Sequence, residues 1–169
     1  MTAAARLRRF PHHRPVVSLA LAVVAVELVG ASGAVFTARG LDGWYDGLVR
    51  PELAPPNWVF APVWTGLFAL MGAALWLVWR RADADPRAAG LAVAVFAVHF
   101  GVNVGWSAVF FGLRAIGWGV VVISVLWALI VATALAFDRV DRRAALLLVP
   151  YFLWVSFAAY LNYRIWVLN

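Results

Sequence analysis

One apolar segment carries polar and aromatic side chains at helical spacing. His99, Asn103, Trp106 and Phe110 follow one another at intervals of 4, 3 and 4, so they share one face of a helix. Imidazole, amide and indole groups on an apolar face suit a flat, mostly apolar ligand with polar edges. The pattern predicts that this face lines a cavity, and the alternative is that each ring simply packs in the core.

Two further segments repeat the pattern. Tyr151, Trp154 and Asn162 share one helical face, and Trp64 and Phe68 lie four residues apart. Bulky rings beside a phenol and an amide again suit a flat apolar ligand. The prediction depends on these faces meeting at one cavity, which helical spacing alone does not establish.

The opposite face of the segment around His99 is made of small residues. Ala97, Gly101 and Gly105 recur every four residues, and the two glycines form a GxxxG pattern that lets helix backbones approach closely in lipid. This face predicts a homodimer interface. The alternative is that it packs against a neighbouring helix of the same bundle.

Catalytic signatures are scarce. Glu27 is the one acidic residue in an apolar segment, which makes it a functional candidate because an unpaired acid in lipid is costly. The alternative is a neutral carboxyl group that hydrogen-bonds to His99 or Asn103. The sequence has no HExxH, no Walker loop, no paired carboxylates and no Ser–His–Asp set. It therefore predicts no metal site and no conventional hydrolytic or kinase chemistry.

The elements that must position these side chains are transmembrane helices. The chain has 169 residues, of which 65% are hydrophobic and 13% charged, whereas a soluble domain carries about a quarter charged residues. Five apolar stretches are each long enough to cross a membrane, at about 15–38, 58–79, 88–113, 115–137 and 144–166. Apart from Arg164, Glu27 is the one formal charge in them. The sequence predicts an all-α integral membrane protein, a bundle of five transmembrane helices.

The charges predict how the chain is threaded. Ten of the 14 basic residues, all of them Arg, flank one set of span ends and four flank the other. The positive-inside rule then places the N-terminus in the cytoplasm and the C-terminus outside. We expect a basic cytoplasmic segment at 1–14 and a single membrane domain at 15–169. The alternative for the start of the chain is a cleaved signal peptide, which would leave four spans.

Four motifs occur in register along the chain. They read WYDGLVRP at 44–51, PPNWVFAPVWTGLF at 55–68, NVGWSAVFFG at 103–112 and PYFLWVSFAAYLN at 150–162. In this order they resemble the TspO/MBR family, the tryptophan-rich sensory protein and translocator protein family of the peripheral benzodiazepine receptor type. The resemblance covers about 31–169, nearly the whole chain.

The resemblance implies a five-helix bundle, often dimeric, with a pocket beside the first long loop. It implies binding of porphyrins such as protoporphyrin IX or haem, and in some members of sterols or drug-like ligands. We expect no required cofactor and no nucleic-acid partner. The expected partners are the lipid bilayer and a porphyrin-type molecule. Family members are associated with sensing, transport or regulation of tetrapyrroles, and some promote light-dependent degradation of protoporphyrin.

Residue by residue, the family's pocket positions correspond to Tyr45, Trp64, Asn103, Ser107 and Trp154. Together with the helical faces, this predicts ligand contacts at Tyr45, Trp64, Phe68, His99, Asn103, Trp106, Ser107, Tyr151 and Trp154. If a photo-oxidative activity exists, Trp64 and Trp154 are its candidate catalytic residues. The chain departs from the family where Phe68 replaces a frequent Tyr, and at 53–54, where an aromatic residue often precedes the double proline.

Three functions remain open at this point. The first is a membrane sensor or carrier that binds a tetrapyrrole. The second is an enzyme that degrades porphyrin in the light. The third is a structural membrane protein without a small-molecule site.

Overall fold

The computed structural model describes residues 3–169 apart from the side chain of Asp42, so residues 1 and 2 of the predicted N-terminal segment lie outside it. Five helical spans are long and apolar enough to cross a membrane: Pro15–Gly40, Asn57–Arg81, Pro86–Gly112, Ile116–Asp138 and Arg142–Leu168. Every predicted bound lies within two residues of the corresponding bound in the structure. The predicted all-α, five-helix membrane architecture is confirmed.

The helices have identifiable start and break points. The α-helices are α1 Ala3–His13, α2 Pro15–Gly40, α3 Phe60–Arg81, α4 Pro86–Ser107, α5 Ile116–Asp138, α6 Arg142–Leu147 and α7 Val149–Leu168. The Asp85 side chain caps α4 and that of Asp141 caps α6, each by accepting a backbone N–H. The fifth span breaks at Leu148, just before Pro150, because proline lacks the N–H that a continuous helix requires.

The five spans form a closed ring. In this ring α2 packs on α3 and α4, and α4 packs on α5. The helix α5 packs on α6 and α7, and α6 contacts α3 and so closes the ring. The centre of the ring is filled by fully buried side chains such as those of Met71, Ile130, Phe137 and Tyr151. The outer faces stay apolar because they contact lipid, so hydrophobicity alone does not distinguish inward from outward positions.

The tightest approach in the ring lies between α2 and α3 at Gly72. A Cβ atom at this glycine would lie 2.5 Å from the Val23 Cα atom, so only glycine allows the two backbones to come this close. This contact holds α2 and α3 together at mid-length, and the two helices leave hollows on either side of it.

The first helix is fixed to the end of α3. The Phe10 ring stacks on Trp79 at 5.9 Å, and the Trp79 indole donates to the Leu7 carbonyl at 3.1 Å. Arg9 forms an ion pair with Asp83 at 3.4 Å. A basic amphipathic helix in this position suits the membrane surface.

At the opposite end, two π-helical turns pack together. They are Leu41–Tyr45, which follows α2, and Ala108–Gly112, which follows α4. The Trp44 ring meets Phe110 edge-on at 5.6 Å, and the Tyr45 and Phe111 ring centroids lie 5.7 Å apart. These aromatic contacts bring the start of the long first loop against the end of the third span.

Candidate functional site

A cavity of about 290 Å³ lies between α2, α3 and α4, on the loop side of the Gly72 contact. We call it the aromatic cavity. It is lined by Glu27, Gly30, Ala31, Ala34, Thr37, Ala38, Leu41, Asn57, Phe60, Ala61, Trp64, Thr65, Phe68, Asn103 and Ser107. Most of these side chains are apolar, and a small number of polar groups are spread among them, as in typical small-molecule sites.

The aromatic wall comes from one face of α3. Trp64 and Phe68 lie 5.4 Å apart between ring centroids, and the Trp64 ring meets the buried Tyr151 ring at 6.2 Å. Phe68 fits directly over Gly30 of α2, where a Cβ atom would overlap the phenyl ring. Trp64 thus contacts the buried Tyr151 on the core side, and Phe68 contacts Gly30 of α2. Both rings line the cavity.

The polar lining residues are Asn103 and Ser107 of α4, Glu27 and Thr37 of α2, Thr65 of α3 and Asn57 before α3. The Asn103 amide donates to the Tyr151 hydroxyl at 2.9 Å, and its own oxygen accepts no hydrogen bond from any described residue. Ser107 lies one helical turn further along α4 and also lines the cavity. Glu27 is the one charged lining residue, and it is half-buried. The cavity thus offers an acceptor, a hydroxyl and a carboxyl group to a ligand with polar edges.

The mouth of the cavity faces the surrounding lipid. Ala31 and Ala34 of α2 and Ala61 and Thr65 of α3 are lining residues that are also exposed on the outside of the bundle. Small residues on both sides leave a gap between the two helices. Because α2 supplies one complete wall, cleavage of this segment as a signal peptide would remove the cavity.

The first long loop closes the end of the cavity. Asn57, a lining residue, donates to the Asp46 carboxylate at 3.0 Å and accepts from the Arg50 guanidinium at 3.3 Å. The same guanidinium lies 5.3 Å from the centre of the Tyr45 ring. Burial raises the pKa of the Tyr45 hydroxyl above its ordinary value of 10.0, and Arg50 opposes part of that shift. The phenol therefore stays neutral at physiological pH.

Four of the predicted ligand contacts line this cavity: Trp64, Phe68, Asn103 and Ser107. Tyr45 and Trp154 lie one ring further back. Each meets Phe60, which is itself a lining residue, edge-on at 6.4 Å and 6.2 Å respectively. The two predicted catalytic residues thus differ in position, because Trp64 is part of the wall and Trp154 is screened from it by Phe60.

The remaining predicted contacts, His99, Trp106 and Tyr151, lie in the core between α4, α5 and α7 and do not line the cavity. Trp106 donates to Asn162 at 3.0 Å, and Tyr151 accepts from Asn103. The polar face of α4 therefore joins helices of the bundle, and only its edge at Asn103 and Ser107 reaches the cavity.

The tautomer of His99 follows from its partner. The Thr133 hydroxyl donates its one proton to the Leu129 carbonyl at 2.8 Å, so it accepts from His99 Nδ1–H at 3.2 Å. His99 Nε2 is then a buried acceptor with no partner among the described residues. His99 and Asn103 are engaged with Thr133 and Tyr151, and among residues 3–169 neither bonds to Glu27.

Sequence reasoning missed several lining residues. Phe60 and Asn57 lie in the same motif as Trp64 and Phe68, and the four recur at intervals of 3, 4 and 4. This spacing is the signal that could have found them. The small residues of α2 gave no such signal, because Gly and Ala are common on packed membrane helices.

The small face of α4 points out of the bundle. Ala97 and Gly101 are exposed, and a Cβ atom at Gly101 or Gly105 would have no neighbour within 4 Å. Packing of this face within the same bundle, the alternative considered above, is therefore wrong. Among the side chains that the structure describes, no group of three or more His, Cys, Asp or Glu could hold a metal ion.

Known proteins resemble this chain in sequence over most of its length. The profile of the TspO/MBR family matches residues 22–167. The chain is 44% identical over 161 residues to the tryptophan-rich protein TspO of Chlorobaculum tepidum, covering 93% of this chain and 99% of that protein. It is 37% identical to the tryptophan-rich sensory protein of Cereibacter sphaeroides, covering 85% and 90%. It is 35% identical to the bovine translocator protein, covering 83% of each chain. The chain is an integral, multi-pass membrane protein that belongs to the TspO/MBR family.

Proposed function

We propose that this protein binds a tetrapyrrole of the porphyrin or haem type within the membrane and serves as a sensor or carrier for it. The observation that carries the proposal is the aromatic cavity, which is lined by the rings of Trp64, Phe68 and Phe60 together with the polar groups of Asn103 and Ser107. Names of relatives, such as sensory protein and translocator protein, accord with sensing or transport of a ligand.

The macrocycle would stack on the Trp64 face, with a polar edge toward Asn103. The cavity volume of about 290 Å³ is at the lower end of the range of about 300–1,000 Å³ for small-molecule sites. A porphyrin would therefore extend through the gap between α2 and α3 into the lipid. Entry from the bilayer suits a flat apolar molecule that already partitions into membranes.

Titration of the purified protein with protoporphyrin IX, followed by porphyrin absorbance, tests this proposal. We expect saturable binding by wild type. Trp64→Ala should weaken it by about one to two powers of ten, since loss of a stacking partner costs about 1–3 kcal/mol. Trp118→Ala is the matched control, because Trp118 is 68% exposed on α5 and away from the cavity. Equal loss in both variants, or no saturable binding at all, would favour a structural protein without a small-molecule site.

A second candidate function is light-dependent degradation of the bound porphyrin. The observation in its favour is the indole of Trp64 in the cavity wall, because indole is easily oxidised and would touch the macrocycle. Trp64→Phe keeps an aromatic surface but removes the indole. We expect this variant to retain most of its porphyrin affinity and to lose light-dependent conversion, which absorbance under illumination would measure. Conversion that survives in Trp64→Phe would exclude this indole as the redox partner, whereas the absence of conversion in wild type would leave the sensor or carrier function alone.

We propose further that the small face of α4 forms a homodimer. Open space at Gly101 and Gly105 allows the helix of a second copy to approach closely. Gly101→Leu should shift the protein from dimer to monomer on size-exclusion chromatography in detergent. Ala132→Leu, at an exposed position of α5, is the control. A dimer that persists in Gly101→Leu would place the interface elsewhere.

The arginine distribution supports a cytoplasmic N-terminus, with the first long loop and the C-terminus outside. A reporter fused after Asn169 tests this orientation. We expect a periplasmic-type reporter to be active there and a cytoplasmic-type reporter to be silent. The opposite pattern would invert the orientation and the side on which the loop closes the cavity.

A further inference from the structure

A second hollow lies between α2, α3 and α4 on the opposite side of the Gly72 contact. Its volume is about 530 Å³, and we call it the N-terminal groove. Leu75 and Trp79 of α3 form its floor. The sides are formed by α2 and α4, where the small residues Ala25 and Gly90 leave space. A Cβ atom at Gly90 would meet nothing within 4 Å, so the space along this wall is open.

The groove faces the hydrocarbon region of the membrane. Leu21 of α2 is 52% exposed and Val93 of α4 is 39% exposed, although both line it. On α4 it runs from Pro86 to Val93, about 10 Å at the rise of an α-helix. Unlike the aromatic cavity, it offers an aliphatic channel with a single indole and no amide. Such a surface fits the upper part of a lipid acyl chain.

The membrane-surface end of the groove is basic. Leu7 and Arg8 of α1 complete the lining there, and Arg8 is the one charged lining residue. Arg9 pairs with Asp83, and Asp85 caps α4, so both neighbouring carboxylates are engaged. Arg8 forms no ion pair with any residue of 3–169.

The surroundings of Arg8 strengthen the positive potential. Arg6 lies on the same helix and Arg87 at the start of α4, and the first 26 residues contain no acidic residue. A phosphate group at the headgroup level would meet an unpaired guanidinium in a basic part of the chain. Basic pockets between transmembrane helices are suited to anionic lipid headgroups.

We propose that the N-terminal groove binds one anionic phospholipid, with an acyl chain along α3 between Ala25 and Gly90 and the phosphate on Arg8. This site is separate from the aromatic cavity and does not depend on the tetrapyrrole proposal. The recognised chemistry is a phosphodiester with net negative charge joined to an aliphatic chain. The net charge of the surrounding arginines selects against a zwitterionic headgroup.

Native mass spectrometry of the full-length protein in detergent tests the site. Phosphatidylglycerol and phosphatidylcholine with identical acyl chains are titrated separately, and inorganic phosphate is added as a competitor. We expect one phosphatidylglycerol to be retained at least about fivefold more tightly than phosphatidylcholine, since one arginine near a lipid surface contributes about this factor. Inorganic phosphate at millimolar concentration should not displace it.

Two variants separate the headgroup from the chain. Arg8→Gln should lower phosphatidylglycerol affinity to the level of phosphatidylcholine, whereas Arg139→Gln, an exposed arginine of the α5–α6 loop, should not. Gly90→Leu adds a side chain at a position where a Cβ atom meets nothing within 4 Å, and it should weaken both lipids by occupying the groove, whereas Ala132→Leu on α5 should weaken neither. Thermal unfolding of the same samples reports whether each variant is folded.

Four results would overturn the proposal. Equal effects of Arg8→Gln and Arg139→Gln would mean that the lipid senses only the general basic surface. No effect of Gly90→Leu would mean that no chain occupies the groove. Displacement by inorganic phosphate would indicate a free-anion site at Arg8, and equal affinity for the two lipids would remove the charge selection.

Discussion

The aromatic cavity and the N-terminal groove share the helices α2, α3 and α4, to which the groove adds α1, and their linings differ in chemistry. In the cavity, α3 contributes Trp64 and Phe68, and α4 contributes Asn103. In the groove, the same two helices contribute mainly aliphatic and small side chains, and the one charge is a cation at the membrane-surface end. The carboxyl group of Glu27 is the one charge of the cavity.

This difference shows that side chains along the same helices give two hollows of one fold different chemistry. Rings and amide groups suit a flat conjugated molecule, whereas a smooth aliphatic channel with an arginine suits a lipid. The two hollows are held apart by one glycine contact between α2 and α3, at Gly72 and Val23. Substitutions that alter this contact should affect both hollows, and substitutions elsewhere should affect at most one of them.

The largest effect is expected from Gly72→Leu. A side chain at this position would begin 2.5 Å from the Val23 Cα atom, so α2 and α3 would have to separate. Overpacking against backbone should cost more than about 3 kcal/mol, because a backbone cannot move aside as a side chain can. Thermal stability followed by size-exclusion chromatography should fall sharply, and both ligands should be lost. Gly66→Leu, on the same helix with open space around it, should be tolerated. Equal tolerance of both variants would contradict the close contact.

A single methyl group should have opposite consequences in the two hollows. Gly30→Ala places a carbon atom inside the Phe68 ring, which must shift and narrow the aromatic cavity. We expect a loss of stability of about 1–3 kcal/mol and weaker porphyrin binding. Gly90→Ala meets open space and improves helix propensity, so its stability should be unchanged or up to about 1 kcal/mol higher. Thermal unfolding of the two variants measures the change in stability of each. Equal changes would mean that the space around Gly30 and the space around Gly90 are alike.

A smaller effect is expected from Trp154→Phe. Phe60 lies between this indole and the cavity, so porphyrin affinity should change by no more than about threefold, or about 0.6 kcal/mol. The Trp154 N–H is buried without a partner among the described residues. Its removal relieves a desolvation cost and so offsets part of the free energy lost with the smaller side chain. Stability should stay within about 1 kcal/mol of wild type. A loss of affinity as large as that of Trp64→Ala would show that Trp154 reaches the ligand directly.

The smallest effect is expected at the C-terminus. Both side-chain groups of Asn169 bond to the backbone of Val49 at 3.1 Å, which ties the first long loop to the end of α7. Asn169→Ala should cost no more than about 1 kcal/mol, because these hydrogen bonds are exposed to solvent. Hydrogen exchange at the Val49 amide should become faster while porphyrin affinity is retained. Asn169→Asp keeps the acceptor and should restore part of the protection. Unchanged exchange in Asn169→Ala would exclude this tie as a restraint on the loop.

The transmembrane spans were predictable from local composition. Each requires only about 20 apolar residues, and this requirement is imposed by the bilayer and not by the rest of the chain. The break before Pro150 is also a local effect, because proline lacks the backbone N–H wherever the helix is placed. The motifs at 44–51, 55–68, 103–112 and 150–162 were sufficient to indicate the family, which the comparison with known relatives confirms.

The site was only partly predictable. Trp64, Phe68, Asn103 and Ser107 line the cavity as expected, but spacing also selected His99, Trp106 and Tyr151, which hold α4 against α5 and α7. A helical wheel reports which residues share a face and not which neighbour covers it. In lipid the outer face is as apolar as the core, so the usual contrast between buried and exposed positions is absent.

The sequence alone thus determined the five helices, their membrane setting and the residue types available for a ligand. The tertiary structure decided that α2 forms half of the cavity, that Phe60 stands between Trp154 and the ligand space, and that Gly101 faces outward. The physical reason is the range of the interactions. Helix formation and insertion depend on neighbouring residues and on the solvent, whereas a cavity depends on how closely two helices approach, which in this chain is set by contacts such as that of Gly72 with Val23.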